Sequence, residues 1–285
     1  MEGVTEHLRA IARRVVDEAL ALAPLRGALL AGSAGRGDAD EWSDIDLLLY
    51  VDELPPEGTL ELIREAVDGV DPRPRETRTP DFDGLDFAVA GALVQLLYAR
   101  VSAIDDRQRR RLIELEELEE PWQKAALGLL EGLVLHDDGT IARWRERLRD
   151  FPEPLRRALI ELHWRDLFPL WHYEEQIAAR DAELWRLEML IDGALRLLGV
   201  LAALNRVYYS RFQVKRVRKL AASFTLAPPQ LADRLESLPQ LPPPAAAEEL
   251  GRLVLETREL VLRELPDLEL PLRFPPGTRQ ERMGL

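Results

Sequence analysis

The chain turns on one stretch. A short apolar run from Leu25 to Ala31 delivers Gly32-Ser33-Ala34-Gly35-Arg36-Gly37, and after a polar segment the sequence resumes as Ser43-Asp44-Ile45-Asp46 followed by Leu47-Leu48-Leu49-Tyr50-Val51. Two apolar runs of this length predict two buried strands, and the glycines between them predict a sharp turn. Gly32, Gly35 and Gly37 accept positive φ and let backbone N–H groups approach an anion, while Ser33 adds a hydroxyl and Arg36 a planar fork of donors. Alternate residues of a strand share a face, so Asp44 and Asp46 point one way while Ile45, Leu47 and Leu49 point into the core. Side-by-side carboxylates repel, and a divalent cation offsets that cost. Hard oxygen ligands suit magnesium held together with phosphates. The spacing therefore predicts a cradle for a triphosphate and its metal.

From Gly32 to Asp46 the pattern resembles the active-site signature of the polymerase-beta-type nucleotidyltransferase superfamily, a Gly-Ser turn followed within about a dozen residues by Asp-x-Asp opening a strand. With Arg36 and Ser43-Asp44-Ile45-Asp46 it is most similar to the small antibiotic and minimal nucleotidyltransferases. The resemblance implies an α+β fold, a small mixed sheet with flanking helices. It implies transfer of a nucleoside monophosphate from a nucleoside triphosphate, ATP foremost, to a hydroxyl acceptor. Asp44 and Asp46 are then the metal ligands and catalytic acids, with Gly32, Ser33, Arg36 and Ser43 as contacts to the nucleotide.

That superfamily carries a third carboxylate on a following strand. The matching run is Phe87-Ala88-Val89-Ala90-Gly91-Ala92-Leu93-Val94-Gln95-Leu96-Leu97-Tyr98-Ala99, and the acid's position holds Gln95. A glutamine offers a neutral oxygen to a metal but accepts no proton at neutral pH. If the hairpin turns at Ala90-Gly91, Val89 pairs with Ala92 and Asp86 falls opposite Gln95, with Cβ atoms about 5 Å apart. Asp86 is thus the candidate general base, although Ala90 fits the positive φ of a tight primed turn poorly and one more loop residue changes the pairing. The contrasting reading, favoured by Gln95, is a non-catalytic nucleotide-binding or antitoxin-like protein that retains the fold.

The net charge of −13 disfavours a nonspecific grip on nucleic acid, which needs a basic surface. The expected acceptor is a small molecule or a protein. There is no cysteine, which excludes disulfides and thiolate metal sites. No apolar run approaches the roughly 20 residues that span a bilayer, and the first residues read as an amphipathic helix carrying acids, so a cytoplasmic protein without membrane attachment is expected.

Strands are expected at 25–31, 45–51 and through the hairpin 82–100, with helices at 4–23 and 58–69, giving a sheet of four or five strands. From Ala103 the apolar residues recur at three and four, including Leu127, Leu130, Leu133 and Val134, then Leu184, Leu187, Leu190, Ile191 and Ala194. The division expected is a nucleotidyltransferase domain at 1–102 and an α-helical bundle domain at 103–285. His136-Asp137-Asp138-Gly139-Thr140 reads as an interhelical turn with Thr140 as cap. Against the acidic background, Arg206, Arg211, Lys215, Arg216, Arg218 and Lys219 form an acid-free basic stretch. On one helix, positions 211, 215, 218 and 219 share a face, and Lys215 is the candidate additional phosphate contact. The four histidines lack metal-site spacing and read as structural.

Overall fold

The computed structural model describes residues 2–74, 78–119 and 121–277. By contact the chain divides into two compact units, one of residues 1–117 with 125–151 and one of 118–124 with 152–285.

In the first unit, α1 (Glu2–Leu22) leads to β1 (Gly27–Leu30), the short helix α2 (Gly32–Arg36), β2 (Ile45–Val51) and α3 (Thr59–Ala66). Then come β3 (Val70–Pro74), β4 (Phe82–Val89), β5 (Ala92–Arg100), α4 (Val101–Leu112), α5 (Trp122–Glu131, of this unit from Ala125 on), β6 (Leu133–Asp137) and α6 (Thr140–Asp150). The strands form one six-stranded sheet in the order β3-β4-β5-β2-β1-β6, with β2 parallel to β5 and the other neighbours antiparallel. Ile45, Leu47 and Leu49 of β2 are fully buried with Leu8, Ile11 and Val15 of α1 and Ile63 of α3, so one face of the sheet is the core. On the other face Tyr50 meets Trp144 of α6 edge-on, with centroids 4.8 Å apart.

Two strands depart from the expected pattern. Every residue of β3 is exposed, and its Val-Asp-Pro-Arg-Pro sequence lacks apolar alternation; prolines are tolerated there because β3 is an edge strand. β6 was expected to be helical because Leu127, Leu130, Leu133 and Val134 keep a helical spacing, but α5 stops at Glu131 and Leu133 pairs with Leu30 of β1. Gly132 makes the stop possible, since a Cβ there would lie 2.6 Å from the Gly128 carbonyl and 2.8 Å from that of Leu30. The helix after β6 is capped by Asp137 rather than Thr140. Asp137 accepts from the backbone N–H groups of Gly139, Ile141 and Ala142 at 2.9–3.0 Å.

The second unit is helical: α7 (Glu153–Arg165), α8 (Leu170–Ala178), α9 (Glu183–Leu204), α10 (Val217–Ala222), α11 (Leu231–Ser237) and α12 (Pro243–Glu264), with 3-10 turns at Arg211–Arg216 and Leu238–Gln240. The helical C-terminal region expected from the apolar spacing is present, with α9 buried from Leu197 through Leu204. Asn205 ends α9 and ties the later chain to it. Its amide donates to the carbonyls of Leu201 and Leu226 at 2.7 and 2.8 Å, and its oxygen accepts from the N–H groups of Thr225 and Leu226. Among the described residues, no helix is long and apolar enough to cross a membrane.

Candidate active site

Asp46 sits in β2 between two buried leucine-type neighbours, Ile45 and Leu47, and the alternation of the strand turns its carboxylate away from the core. The parallel pairing of β2 with β5 sets Asp46 beside Gln95, and the antiparallel pairing of β5 with β4 sets Gln95 beside Asp86. Directly paired residues share a face, so Asp46, Gln95 and Asp86 form one polar row across three adjacent strands. Asp44, the residue before Ile45, joins the row's end: the Gln95 amide reaches Asp46 Oδ1 at 2.7 Å and Asp44 Oδ2 at 3.3 Å. Hydrogen bonding is satisfied at both ends of this amide when its NH2 is the group turned to the two carboxylates, because an amide oxygen there would confront acceptors alone. All four side chains are half-buried, within reach of solvent.

The expected hairpin register is the observed one. Val89 pairs with Ala92 and Asp86 with Gln95, and the two loop residues, Ala90 and Gly91, have φ of 51° and 84°. Alanine thus takes the left-handed conformation of a primed turn despite its Cβ. Strand pairing on both sides overrides that local preference.

The glycine loop is folded as the helical turn α2, closed by Gly37 with φ of 89°. Gly32 and Gly35 are required for different reasons. Gly32 has φ of 64°, and a Cβ on it would approach Asp46 Oδ2 to 2.5 Å; its bare backbone lets the loop lie against the carboxylate. Gly35 is helical, not left-handed as the turn reading allowed, and its role is close packing, since a Cβ would meet the Leu30 carbonyl at 2.1 Å. Ala31 N–H donates to the Asp46 carbonyl at 2.8 Å, so the Ser33 loop and the aspartate strand are joined through the backbone.

Other candidates stand further from a free role. Arg36 is exposed, with Nε 3.4 Å from Asp38 Oδ1 and 3.9 Å from Glu131 Oε2. Ser43 Oγ donates to Asp40 Oδ1 at 2.9 Å and accepts from Asp40 N–H at 3.0 Å, which closes the turn leading into Asp44. Trp42, held in that turn by its N–H on Asp40 Oδ1, is 87% exposed. Lys215 lies in the second unit, exposed, near the end of the 3-10 turn Arg211–Arg216. The basic stretch is not one helix face: it passes from that turn into α10, Arg211 pairs with Asp192 at 3.0 Å, and Arg218 pairs with Asp233 and Glu236.

Sequence reasoning missed Arg9. From α1 its Nε donates to the Ala34 carbonyl and its NH2 to that of Gly35, both at 3.0 Å, satisfying carbonyls at the end of α2. The only trace in the sequence is an arginine on an amphipathic helix, with nothing to say which of the three arginines of α1 turns inward.

The carboxylates of Asp44 and Asp46 suit a hard divalent cation that takes its remaining ligands from phosphates. Among the described residues no three acids or histidines are grouped as a metal cluster, so Asp86 stands beside the pair rather than within a three-carboxylate cage. The glycine turn, the two aspartates at i and i+2 and the parallel partner strand lie together in the first unit. Residues 12–125 match the nucleotidyltransferase domain family. The general reaction of nucleotidyltransferase domains is transfer of a nucleoside monophosphate from a nucleoside triphosphate, typically with a divalent metal. Among solved structures the chain is similar to the nucleotidyltransferase-like protein from Exiguobacterium sibiricum 255-15. The identity is 13% and the TM-score 0.44, covering 92% of this chain and 81% of that one. No curated protein matches the chain in sequence.

Proposed function

We propose that the protein is a magnesium-dependent nucleotidyltransferase that moves a nucleoside monophosphate, from ATP foremost, to a hydroxyl of a small-molecule or protein acceptor. The observation that carries this reading is the row Asp46-Gln95-Asp86 with Asp44 at its end, laid against the bare backbone of Gly32.

Asp44 and Asp46 would hold the cation, which when bound neutralises charge on the triphosphate as its α-phosphorus is attacked. Gly32 and Ser33 present backbone and hydroxyl to the phosphates, and Arg36 adds charge once drawn from Asp38. Asp86 supplies the proton acceptor that Gln95 cannot be: its carboxylate takes the acceptor hydroxyl's proton as the oxygen attacks and pyrophosphate leaves.

Pyrophosphate release from ATP and magnesium in the presence of hydroxyl acceptors tests the reading. One observation favours a second function: with Gln95 where an acid is expected, a nucleotide-binding protein without turnover accounts for the same site. Magnesium-dependent binding of ATP with no pyrophosphate from any acceptor would select it.

A further inference from the structure

The Gln95 amide occupies a particular place. Turned so that both of its ends find hydrogen-bond partners, it sets its NH2 2.7 Å from Asp46 Oδ1 and 3.3 Å from Asp44 Oδ2, one neutral donor group bridging both carboxylates. Charge-assisted hydrogen bonds of this kind relieve part of the repulsion between two neighbouring carboxylates. The amide comes from β5, whose pairing with β2 runs unbroken from Ile45–Val94 to Val51–Arg100, so the donor is held in register rather than presented by a loose loop. Its neighbours in the strand, Val94 and Leu96, are fully buried, which anchors the backbone that carries it.

A cation seated between Asp44 and Asp46 has to take the position of that NH2 group. We propose that Gln95 is a built-in competitor for the divalent cation, so that the carboxylate pair takes up metal together with the triphosphate rather than ahead of it. This rests on the metal-binding reading of the pair given above. The physical reason is competition: a free cation must first displace an amide hydrogen-bonded to both carboxylates, which weakens its hold on the pair alone. A triphosphate brings its own anionic oxygens and shifts the exchange toward metal. Coupling of this sort is reciprocal, so nucleotide tightens metal and metal tightens nucleotide by the same factor. A carboxylate at the same position would remove the donor, add a negative charge and let the cation bind first.

The test is manganese binding followed by the electron paramagnetic resonance signal of free Mn2+, with and without a nonhydrolysable ATP analogue, on the full chain. Melting curves in chelator confirm that each variant is folded. Wild type should bind Mn2+ weakly alone and on the order of tenfold or more tightly with the analogue. Q95E should bind Mn2+ alone on the order of tenfold more tightly than wild type. Q95L, which lacks both the donor and the amide oxygen, should also bind Mn2+ alone more tightly than wild type. Equal or weaker binding by Q95L would show Gln95 to be an ordinary oxygen ligand and overturn the competition. Wild type matching Q95E without nucleotide would overturn it too. Failure of wild type and Q95E alike to bind Mn2+ even with the analogue would instead remove the metal site on which the inference stands.

Discussion

Asp86 and Gln95 face each other in direct register across β4 and β5, and Gln95 in turn lies beside Asp46 on β2. If Asp86 is the general base, Asp86→Asn should lower turnover by roughly 10²- to 10⁴-fold while leaving nucleotide affinity nearly unchanged. Steady-state pyrophosphate release beside equilibrium ATP binding separates the two; a parallel loss in both places Asp86 in the scaffold.

If Asp46 is a metal ligand, its removal gives a different signature. Asp46→Asn should abolish magnesium-dependent triphosphate binding, yet change the melting temperature of the metal-free protein little, because the carboxylate repulsion that is relieved offsets the hydrogen bond lost to Gln95. Calorimetric titration with a magnesium–triphosphate analogue reads the first, thermal unfolding in chelator the second. A large drop in stability with binding intact would mean that the pair is structural.

The two glycines of the loop should fail in opposite ways. A Cβ at Gly35 meets the Leu30 carbonyl at 2.1 Å, so Gly35→Ala should destabilise the fold by about 1–3 kcal/mol, measurable by urea denaturation. A Cβ at Gly32 meets the Asp46 carboxylate at 2.5 Å instead. Gly32→Ala should retain more of the stability and lose magnesium–nucleotide binding.

The turn at Ala90 predicts a gain. With φ of 51° the residue pays a left-handed penalty of about 1 kcal/mol that asparagine tolerates, so Ala90→Asn should raise the urea midpoint by an amount corresponding to about 0.5–1 kcal/mol. No change in the midpoint would mean that the hairpin relaxes around alanine.

His163 predicts a pH dependence. Burial, with Arg196 and Arg211 nearby, lowers its pKa from 6.5 to about 4, with Asp192 acting in the other direction. A depressed histidine pKa means that the unfolded chain binds the extra proton first. The stability held above pH 6.5 therefore falls as the pH drops toward 4, by up to about 1.4 kcal/mol per unit. His163→Gln should flatten that slope in denaturation curves measured across the range. The ring also touches the α9 backbone, where a Cβ on Gly199 would come to 2.6 Å, so the comparison is of slopes rather than of absolute stability.

Much of this site was legible in the residues themselves. The β2 and hairpin strands fall where apolar alternation puts them, because a strand with one buried face writes its register into the sequence. The opposition of Asp86 to Gln95 follows from a two-residue turn and the period of two. What the sequence did not carry was contact at long range. β6 looks helical until β1 offers it a partner, and β3 looks like a loop until an edge needs covering. Arg9 is one arginine among several until α1 lies beside the glycine turn. The orientation of the Gln95 amide was likewise invisible, since the residue type names both an acceptor and a donor, and only the carboxylates of a neighbouring strand decide which end faces them. Local pattern determines which backbone groups pair and which faces are buried. Only the tertiary structure decides which polar atoms meet, because those meetings depend on elements distant in the chain.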